Sequence, residues 1–323
     1  MTKPPLLMTA SLMEMKAEQL DQAFEVHRYH NAPDRDAMLA EVGARIEAIA
    51  AGGHAIDVDA ALIEKLPNLK IIGNFGVGYD QVDTGAAHAR GIIVTNTPDV
   101  LTEEVADTAL GLLLMTVREL GQAERYLRAG KWAADGDYRL TPATLQDRSI
   151  GIVGLGRIGK AIARRCEAFG RSISYFGRNQ QTDVGYQYYG DIVAMARAVD
   201  TLIIVTPGTA ETRNLINADV LAALGERGVV INVARGSVVD EAALMAALRN
   251  RTIFAAGLDV MLNEPNIDPQ LMELDNLVLL PHVGSASEYT RHAMGQLVVD
   301  NLLAYKSGKP PLTPVPETPF TTW

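Results

Sequence analysis

The chain has 323 residues, 48% hydrophobic and 21% charged, the balance of an ordinary globular protein long enough for two domains. Its formal net charge of −10 gives it no general attraction for phosphate backbones, so nucleic acid is not an expected partner. The one cysteine, Cys166, excludes an intrachain disulfide and a cysteine-rich metal site and fits a reducing, cytoplasmic setting, while the densest apolar run, Ala109–Val117, falls short of the roughly 20 residues of a membrane span.

In chain order, Leu6–Thr9, Phe24–Tyr29, Ile46–Ala50, Lys70–Asn74 and Ile92–Asn96 read as short strands. Helical patterns stand between them at Asp59–Leu66 and at Asp83–Arg90, the latter closed by Gly91. Such alternation predicts a parallel sheet with crossover helices. A long helical region follows, capped by Thr102 with Glu103 and Glu104 in its first turn, and its apolar residues run through Leu110–Val117 toward Tyr126 and Leu127. Ala129–Gln146, with Trp132, Gly136 and Pro142, is irregular.

A second alternating block supplies six predicted strands: Ser149–Val153, Ser172–Phe176, Thr201–Thr206, Val229–Val233, Phe254–Val260 and Leu277–Pro281. Helical patterns fall at Lys160–Phe169, Asp191–Ala198, Ala218–Leu224 and Glu241–Arg249. Cys166 sits in the first of these as a packing residue. Six strands with crossovers match a doubly wound nucleotide fold. Ser287–Ser307 is again helical and the tail, Pro310 to Pro319, extended. The expected architecture is α/β, with two doubly wound parallel-sheet domains: a Rossmann nucleotide-binding domain, residues 101–286, inserted in a flavodoxin-like substrate domain of residues 1–100 and 287–323.

Gly154-Leu155-Gly156-Arg157-Ile158-Gly159 is a G-x-G-x-x-G between a predicted strand and a predicted helix, and that context makes it a dinucleotide-binding signal. The first glycine permits the turn, the second lets a pyrophosphate approach the backbone, and the third lets the helix pack close to the strand. The next strand ends at Gly177-Arg178-Asn179, where an NAD site would carry an acid for the ribose hydroxyls. Arg178 is suited to a 2′-phosphate, so NADP(H) is the expected cofactor, with NAD(H) possible. The competing reading is a solvated loop arginine beside a relaxed NAD site.

Three further segments place Arg235, Glu264 and His282 at or just beyond the carboxyl ends of predicted strands, where ligands of parallel sheets bind. Taken singly, each has a structural explanation as a turn, a surface loop or a packed histidine. Together, the nucleotide turn, Asn232-Val-Ala-Arg-Gly236, Gly257-Leu-Asp259, Asn263-Glu-Pro265 and Pro281-His-Val-Gly-Ser285 resemble the D-2-hydroxyacid dehydrogenase family, in particular its glyoxylate/hydroxypyruvate reductase branch, from about Leu66 to about Leu302. The resemblance implies that Arg235, Glu264 and His282 are catalytic and that the backbone amides of Val77 and Gly78 hold the substrate carboxylate. It assigns Thr206, Pro207, Val233, Ala234, Asp259, Gly284 and Ser285 to the cofactor path, with Asp259 bonding the nicotinamide amide. Ser11–Met15 and Gly53–Ala55 are expected to contribute to the substrate wall.

The implied reaction is reduction of a small 2-keto acid to a D-2-hydroxy acid, with His282 and Glu264 as the acid–base pair, Arg235 on the carboxylate and carbonyl, and no metal. A homodimer is expected through an arm at about residues 103–148, which carries more apolar surface than one domain needs. The alternatives are an NAD-dependent phosphoglycerate- or formate-type dehydrogenase, which the missing ribose acid disfavours, and a nucleotide-sensing corepressor on the same scaffold, which the acidic chain without a basic patch disfavours.

Overall fold

Residues 3–53 and 56–322 are described by the computed structural model. They separate into two units, one built from the chain up to Leu101 together with the chain from Ser287 onward, the other from Thr102–Ala286.

The first unit holds a five-stranded sheet of β1 (Pro5–Met8), β2 (Glu25–Arg28), β3 (Ala48–Gly52), β4 (Ile71–Phe75) and β5 (Ile93–Thr95) in the order β2-β1-β3-β4-β5. All pairs are parallel. β1 and β3 are buried throughout, as expected where crossover helices cover both faces. The period of two sorts their side chains: Leu7, Ile49, Ile72 and Val94 face one core with Leu62, Ile63 and Leu66. Leu6, Met8, Ala48, Ala50 and Ile71 face the other, against Leu20, Phe24, Val298, Val299 and Leu302. The last three belong to the helix Glu288–Lys306, which lies so close to β4 that a Cβ on Gly73 would stand 3.3 Å from Val298 and Leu302. Two helices in this unit, Glu14–Ala23 and Arg35–Val42, were not anticipated from the sequence.

The sheet's two edges are closed differently. β2 carries charge, with Arg28 on Asp21 and Arg45 on Glu25. β5 is covered by the tail: Thr95 bridges Pro314 antiparallel, and Val315 N–H donates to Val94 carbonyl at 2.9 Å. The buried Val94 N–H finds its acceptor in Thr318 Oγ1 at 2.8 Å.

The second unit holds seven parallel strands: β6 (Ile150–Val153), β7 (Ile173–Phe176), β8 (Gln187–Tyr189), β9 (Thr201–Ile204), β10 (Val229–Asn232), β11 (Ala255–Leu258) and β12 (Leu277–Leu279). Their order is β12-β11-β10-β9-β6-β7-β8. The order reverses between β6 and β9, which is the switch point where doubly wound folds bind ligands. The chain thus adopts the expected α/β architecture of two parallel sheets. β8 is an addition to the six expected strands. Gln187-Tyr-Tyr is short, half-exposed and without apolar alternation, and it pairs only with β7 at the sheet edge.

The long helical region differs from its expectation. Thr102 is the first helical residue, not its cap, and the helix ends at Val117. Glu119 then takes a left-handed conformation, φ 51°, before a second helix, Leu120–Arg128. The physical reason is a polar clasp: Glu119, 7% exposed, accepts Tyr138 Oη at 3.0 Å and Arg139 Nη2 at 2.8 Å. A short helix, Lys131–Asp135, interrupts the expected irregular stretch. The Thr102–Val117 helix packs on β11 through Gly257, where a Cβ would stand 2.5 Å from Thr116 Oγ1 and 2.8 Å from Leu112. Among the described residues no helix is long and apolar enough to cross a membrane.

Thr318→Val keeps the tail's shape but strands the Val94 N–H without an acceptor. It should cost about 1–3 kcal/mol, the usual penalty for an unpaired buried donor. Urea unfolding monitored by fluorescence checks this, and an unchanged midpoint would show that the tail does not hold the edge.

Candidate active site

The glycine-rich turn joins β6 to the helix Arg157–Ala168. Gly154 has φ 100°, its N–H donates to Phe176 carbonyl, and a Cβ there would lie 2.9 Å from the Thr206 backbone. A Cβ on Gly159 would collide with the Gly154 carbonyl oxygen, so helix and strand approach only because that position is glycine. Gly156, the N-cap residue, faces open space and brings no side chain to the first helical amides. Arg157 is exposed and Ile158 half-buried beside it. Those orphan N–H groups and the helix dipole favour an anion.

The loop after β7 is braced against this turn. Gln181 Nε2 donates to Leu155 carbonyl at 2.8 Å, Gln181 N–H donates to Tyr175 Oη at 2.7 Å, and Tyr188 Oη donates to Gly177 carbonyl at 3.2 Å. A Cβ on Gly177 would meet nothing within 4 Å, and Arg178 and Asn179 are exposed. The acid that follows, Asp183, is taken by Lys160 at 2.6 Å, which holds its carboxyl below the usual range. A ribose phosphate fits this donor set better than a bare ribose diol, because no carboxylate stands at 177–179. The bracing role of Gln181 was not legible in the sequence, since a lone loop glutamine carries no signal.

Arg235, Glu264 and His282 follow β10, β11 and β12, three adjacent parallel strands, and so emerge at one edge of the sheet. Each turn is locked by a buried polar group or a glycine. Fully buried Asn232 folds the Val233–Arg235 turn, donating to Arg235 carbonyl at 2.9 Å and accepting Ala234 N–H at 3.0 Å. A Cβ on Gly208, just past Thr206-Pro207, would stand 2.8 Å from Arg235 Cγ. One on Gly236 would collide with the Met261 carbonyl, which ties the arginine turn to the glutamate loop.

Glu264 Oε1 accepts Met261 N–H at 2.8 Å, and its Oε2 lies 2.7 Å from His282 Nδ1. Both side chains are more than half buried, which strengthens the contact. Asn263 and His282 have φ of 58° and 54°, and a left-handed histidine persists only where its surroundings impose it. Asp259 imposes it: its carbonyl accepts His282 N–H at 2.9 Å, and its carboxylate accepts Val283 N–H at 2.7 Å and Gly284 N–H at 2.8 Å. Burial, to 2% exposed, pushes this carboxyl up, and the two amides oppose the shift. Each oxygen of Asp259 thus accepts one amide of the histidine loop and keeps a second lone pair for a further donor, such as the nicotinamide amide that the family resemblance implies. Gly284 has no room for a Cβ against Asp259, while Ser285 is half-buried. Glu241 was missed by sequence reasoning, which has it only as the start of a helical pattern: it is buried and accepts Leu262 N–H at 2.9 Å, bracing the Glu264 loop.

Val77 and Gly78 lie in the loop after β4 of the first unit, half-buried. Of the expected substrate wall, Ser11–Met13 form a loop and Met15 is an exposed helical residue, while His54 and Ala55 lie outside the described residues. Among the described residues no group of three or more His, Cys, Asp or Glu is placed to hold a metal.

Residues 110–284 match the family described as D-isomer specific 2-hydroxyacid dehydrogenase, NAD binding domain. The chain is 44% identical over 310 residues to a glyoxylate/hydroxypyruvate reductase A of Arabidopsis thaliana, covering 96% of this chain and 98% of the relative. It is equally similar, 44% over 310 residues with the same coverage, to a hydroxyphenylpyruvate reductase of Plectranthus scutellarioides. Among solved structures, an NADPH-dependent glyoxylate/hydroxypyruvate reductase from Sinorhizobium meliloti, in complex with NADP and malonate, superposes with a TM-score of 0.93 at 50% identity, covering 100% of this chain and 99% of that one.

Proposed function

The chain belongs to the D-isomer specific 2-hydroxyacid dehydrogenase family, and from that premise we propose that it reduces small 2-keto acids to D-2-hydroxy acids with NADP(H). The observation that carries the reading is the 2.7 Å contact between His282 Nδ1 and Glu264 Oε2 at the strand ends. When bound, the reduced nicotinamide supplies a hydride to C2 of the keto acid. Negative charge then develops on the carbonyl oxygen. His282, as imidazolium, delivers its Nε2 proton to that oxygen, while Glu264 fixes Nδ1 and stabilises the charged ring. A positioned acid of this kind contributes about 10²–10⁴-fold. Arg235 pairs with the carboxylate and polarises the carbonyl, and the N–H groups of Val77 and Gly78 bind the carboxylate as well.

The amides of Leu155–Ile158 would hold the pyrophosphate, and Gly177, Arg178 and Asn179 the 2′-phosphate end. NAD(H) remains a usable second cofactor, since most of these contacts ignore the 2′ position. Glyoxylate, hydroxypyruvate and aryl pyruvates share the carboxyl–carbonyl unit these residues recognise. A homodimer is the assembly we propose, through the arm on which Leu120, Leu127 and Trp132 are exposed and Leu140 is 93% exposed.

Four measurements test these points. Arg178→Ala should raise the KM for NADPH roughly tenfold to a hundredfold, the worth of a charge-assisted contact, with little effect on NADH. An equal loss for both cofactors would sink the assignment. Sedimentation at micromolar concentration should give a dimer, and Leu140→Asp with Trp132→Ala should shift it toward single chains; a wild type that runs as a single chain overturns the assembly. His282→Ala should abolish most turnover yet leave NADPH binding intact. Glu264→Gln should lower reductive kcat/KM and leave the NADPH Kd unchanged, because the amide keeps the shape but no longer stabilises the charged ring. An unchanged kcat/KM would reduce Glu264 to a support for its loop.

A further inference from the structure

The loop after β4 owes its orientation to side chains that lie outside the catalytic trio. The Gly76 carbonyl accepts Thr97 N–H at 2.9 Å and Asn74 Nδ2 at 3.4 Å. The Val77 carbonyl accepts Asn96 Nδ2 at 2.9 Å, and the Gly78 carbonyl accepts Asn74 Nδ2 at 3.0 Å. Three consecutive carbonyls therefore point inward. A trans peptide is planar, so its N–H points opposite to its C=O. The Gly76 carbonyl, turned in, sends Val77 N–H out, and the Val77 carbonyl sends Gly78 N–H out. Neither N–H donates to any acceptor among the described residues, whereas the preceding Gly76 N–H is satisfied by Thr97 Oγ1 at 3.1 Å. Two adjacent half-buried amides aimed outward form an anion-binding concavity.

The asparagines are themselves held in one orientation. Asn74 is 0% exposed, and its Oδ1 accepts Gln81 Nε2 at 2.6 Å, which leaves its amide nitrogen facing the loop carbonyls. Asn96 is pinned by the tail: its N–H donates to Thr313 carbonyl at 3.2 Å and its carbonyl accepts Thr313 Oγ1 at 2.6 Å. Asn301 completes the chain by accepting Leu312 N–H and donating to Thr313 Oγ1. We infer that Asn74 and Asn96 are positioning residues for the substrate carboxylate, acting through the loop carbonyls to keep the Val77 and Gly78 amides turned outward. The inference rests on the reductase reading above. Neither asparagine touches the substrate: Asn96 sets the direction of the Gly78 amide through the Val77 carbonyl, and Asn74 supports the Val77 amide through the Gly76 carbonyl, beside Thr97 N–H, while clamping the loop's next carbonyl at Gly78. An aspartate of the same size cannot replace either one, because a carboxylate does not donate to a carbonyl.

The test compares wild type with Asn96→Asp, Asn74→Ala and the milder Gln81→Ala, which releases Asn74 without emptying the core. Four quantities are measured: KM and kcat for glyoxylate with NADPH, Ki for oxalate, and Kd for NADPH by fluorescence. Each variant should raise KM and oxalate Ki together, about tenfold for the asparagines and a few-fold for Gln81→Ala, from the loss or loosening of the bonds that hold the loop carbonyls. kcat should stay within about twofold and the NADPH Kd should not move, because the carboxylate, not the cofactor, has lost its amides. If Asn74→Ala fails to fold, Asn96→Asp and Gln81→Ala decide the matter. Unchanged KM and Ki in both, with a wild type that oxalate inhibits competitively, overturn the inference alone. A parallel rise in NADPH Kd overturns it too, by showing a general loosening. A wild type that turns over no 2-keto acid with either nicotinamide cofactor overturns the reductase reading and the inference with it.

Discussion

Every strand of the second sheet runs in the same direction, and this constraint governs what the unit can do. Parallel strands place all their carboxyl ends on one edge, so the turns after β6, β7, β9, β10, β11 and β12 leave from the same side. The nucleotide turn and the loop carrying Arg178 sit on one side of the switch point. Arg235, Glu264 and His282 sit on the other. No single segment has to carry both the proposed cofactor contacts and the proposed acid–base pair, because the topology delivers residues as distant in sequence as Gly154 and His282 to a common edge.

Such an edge is useful only if its turns are stiff, and here stiffness comes from buried polar groups whose hydrogen bonds are used on backbone. Asn232, Asp259, Glu241 and Glu264 each accept a backbone N–H from the turn they support. Buried carboxylates are costly, and burial pushes both Asp259 and Glu241 up. Their retention in the proposed catalytic edge is understandable as preorganisation: the left-handed turn at His282 is held to Asp259 by three bonds, from the N–H groups of His282, Val283 and Gly284. Glycines do the complementary work. At 208 and 236 the approach of neighbouring turns leaves no space for a Cβ, so the loops are fixed by contact as well as by hydrogen bonds.

The first unit uses the same device with neutral groups. Its carbonyls are gathered by asparagine amides and the Thr97 backbone N–H, which avoids placing a buried carboxylate next to a loop proposed to bind an anion. The tail serves this arrangement indirectly. It closes the β5 edge through Val315 and Thr318 and, two residues earlier in the tail, holds Asn96 through Thr313. Edge protection and loop support are therefore one structural element, which explains why a Pro-rich extension is ordered against the sheet.

Much of this was legible from residue order alone. Apolar runs of four or five residues, separated by helical periods, determined two parallel sheets, and the glycine spacing at 154–159 determined where a dinucleotide would lie, because both signals are local. Arg235, Glu264 and His282 were nameable only because several motifs occur together in one order. Tertiary structure decided the rest. β8 forms where β7 offers it an edge; its two tyrosines suit a strand, but three residues are too few to show a period in the sequence. The helix breaks at Glu119 because Tyr138 and Arg139 reach back to its carboxylate from about 20 residues on, by a long-range clasp of the kind tertiary context uses to override propensity. The work of Asp259, Glu241, Gln181 and Asn74 is invisible in sequence for the same reason. A buried polar residue is defined by the backbone groups it meets, and those groups come from segments that only folding brings within hydrogen-bond distance.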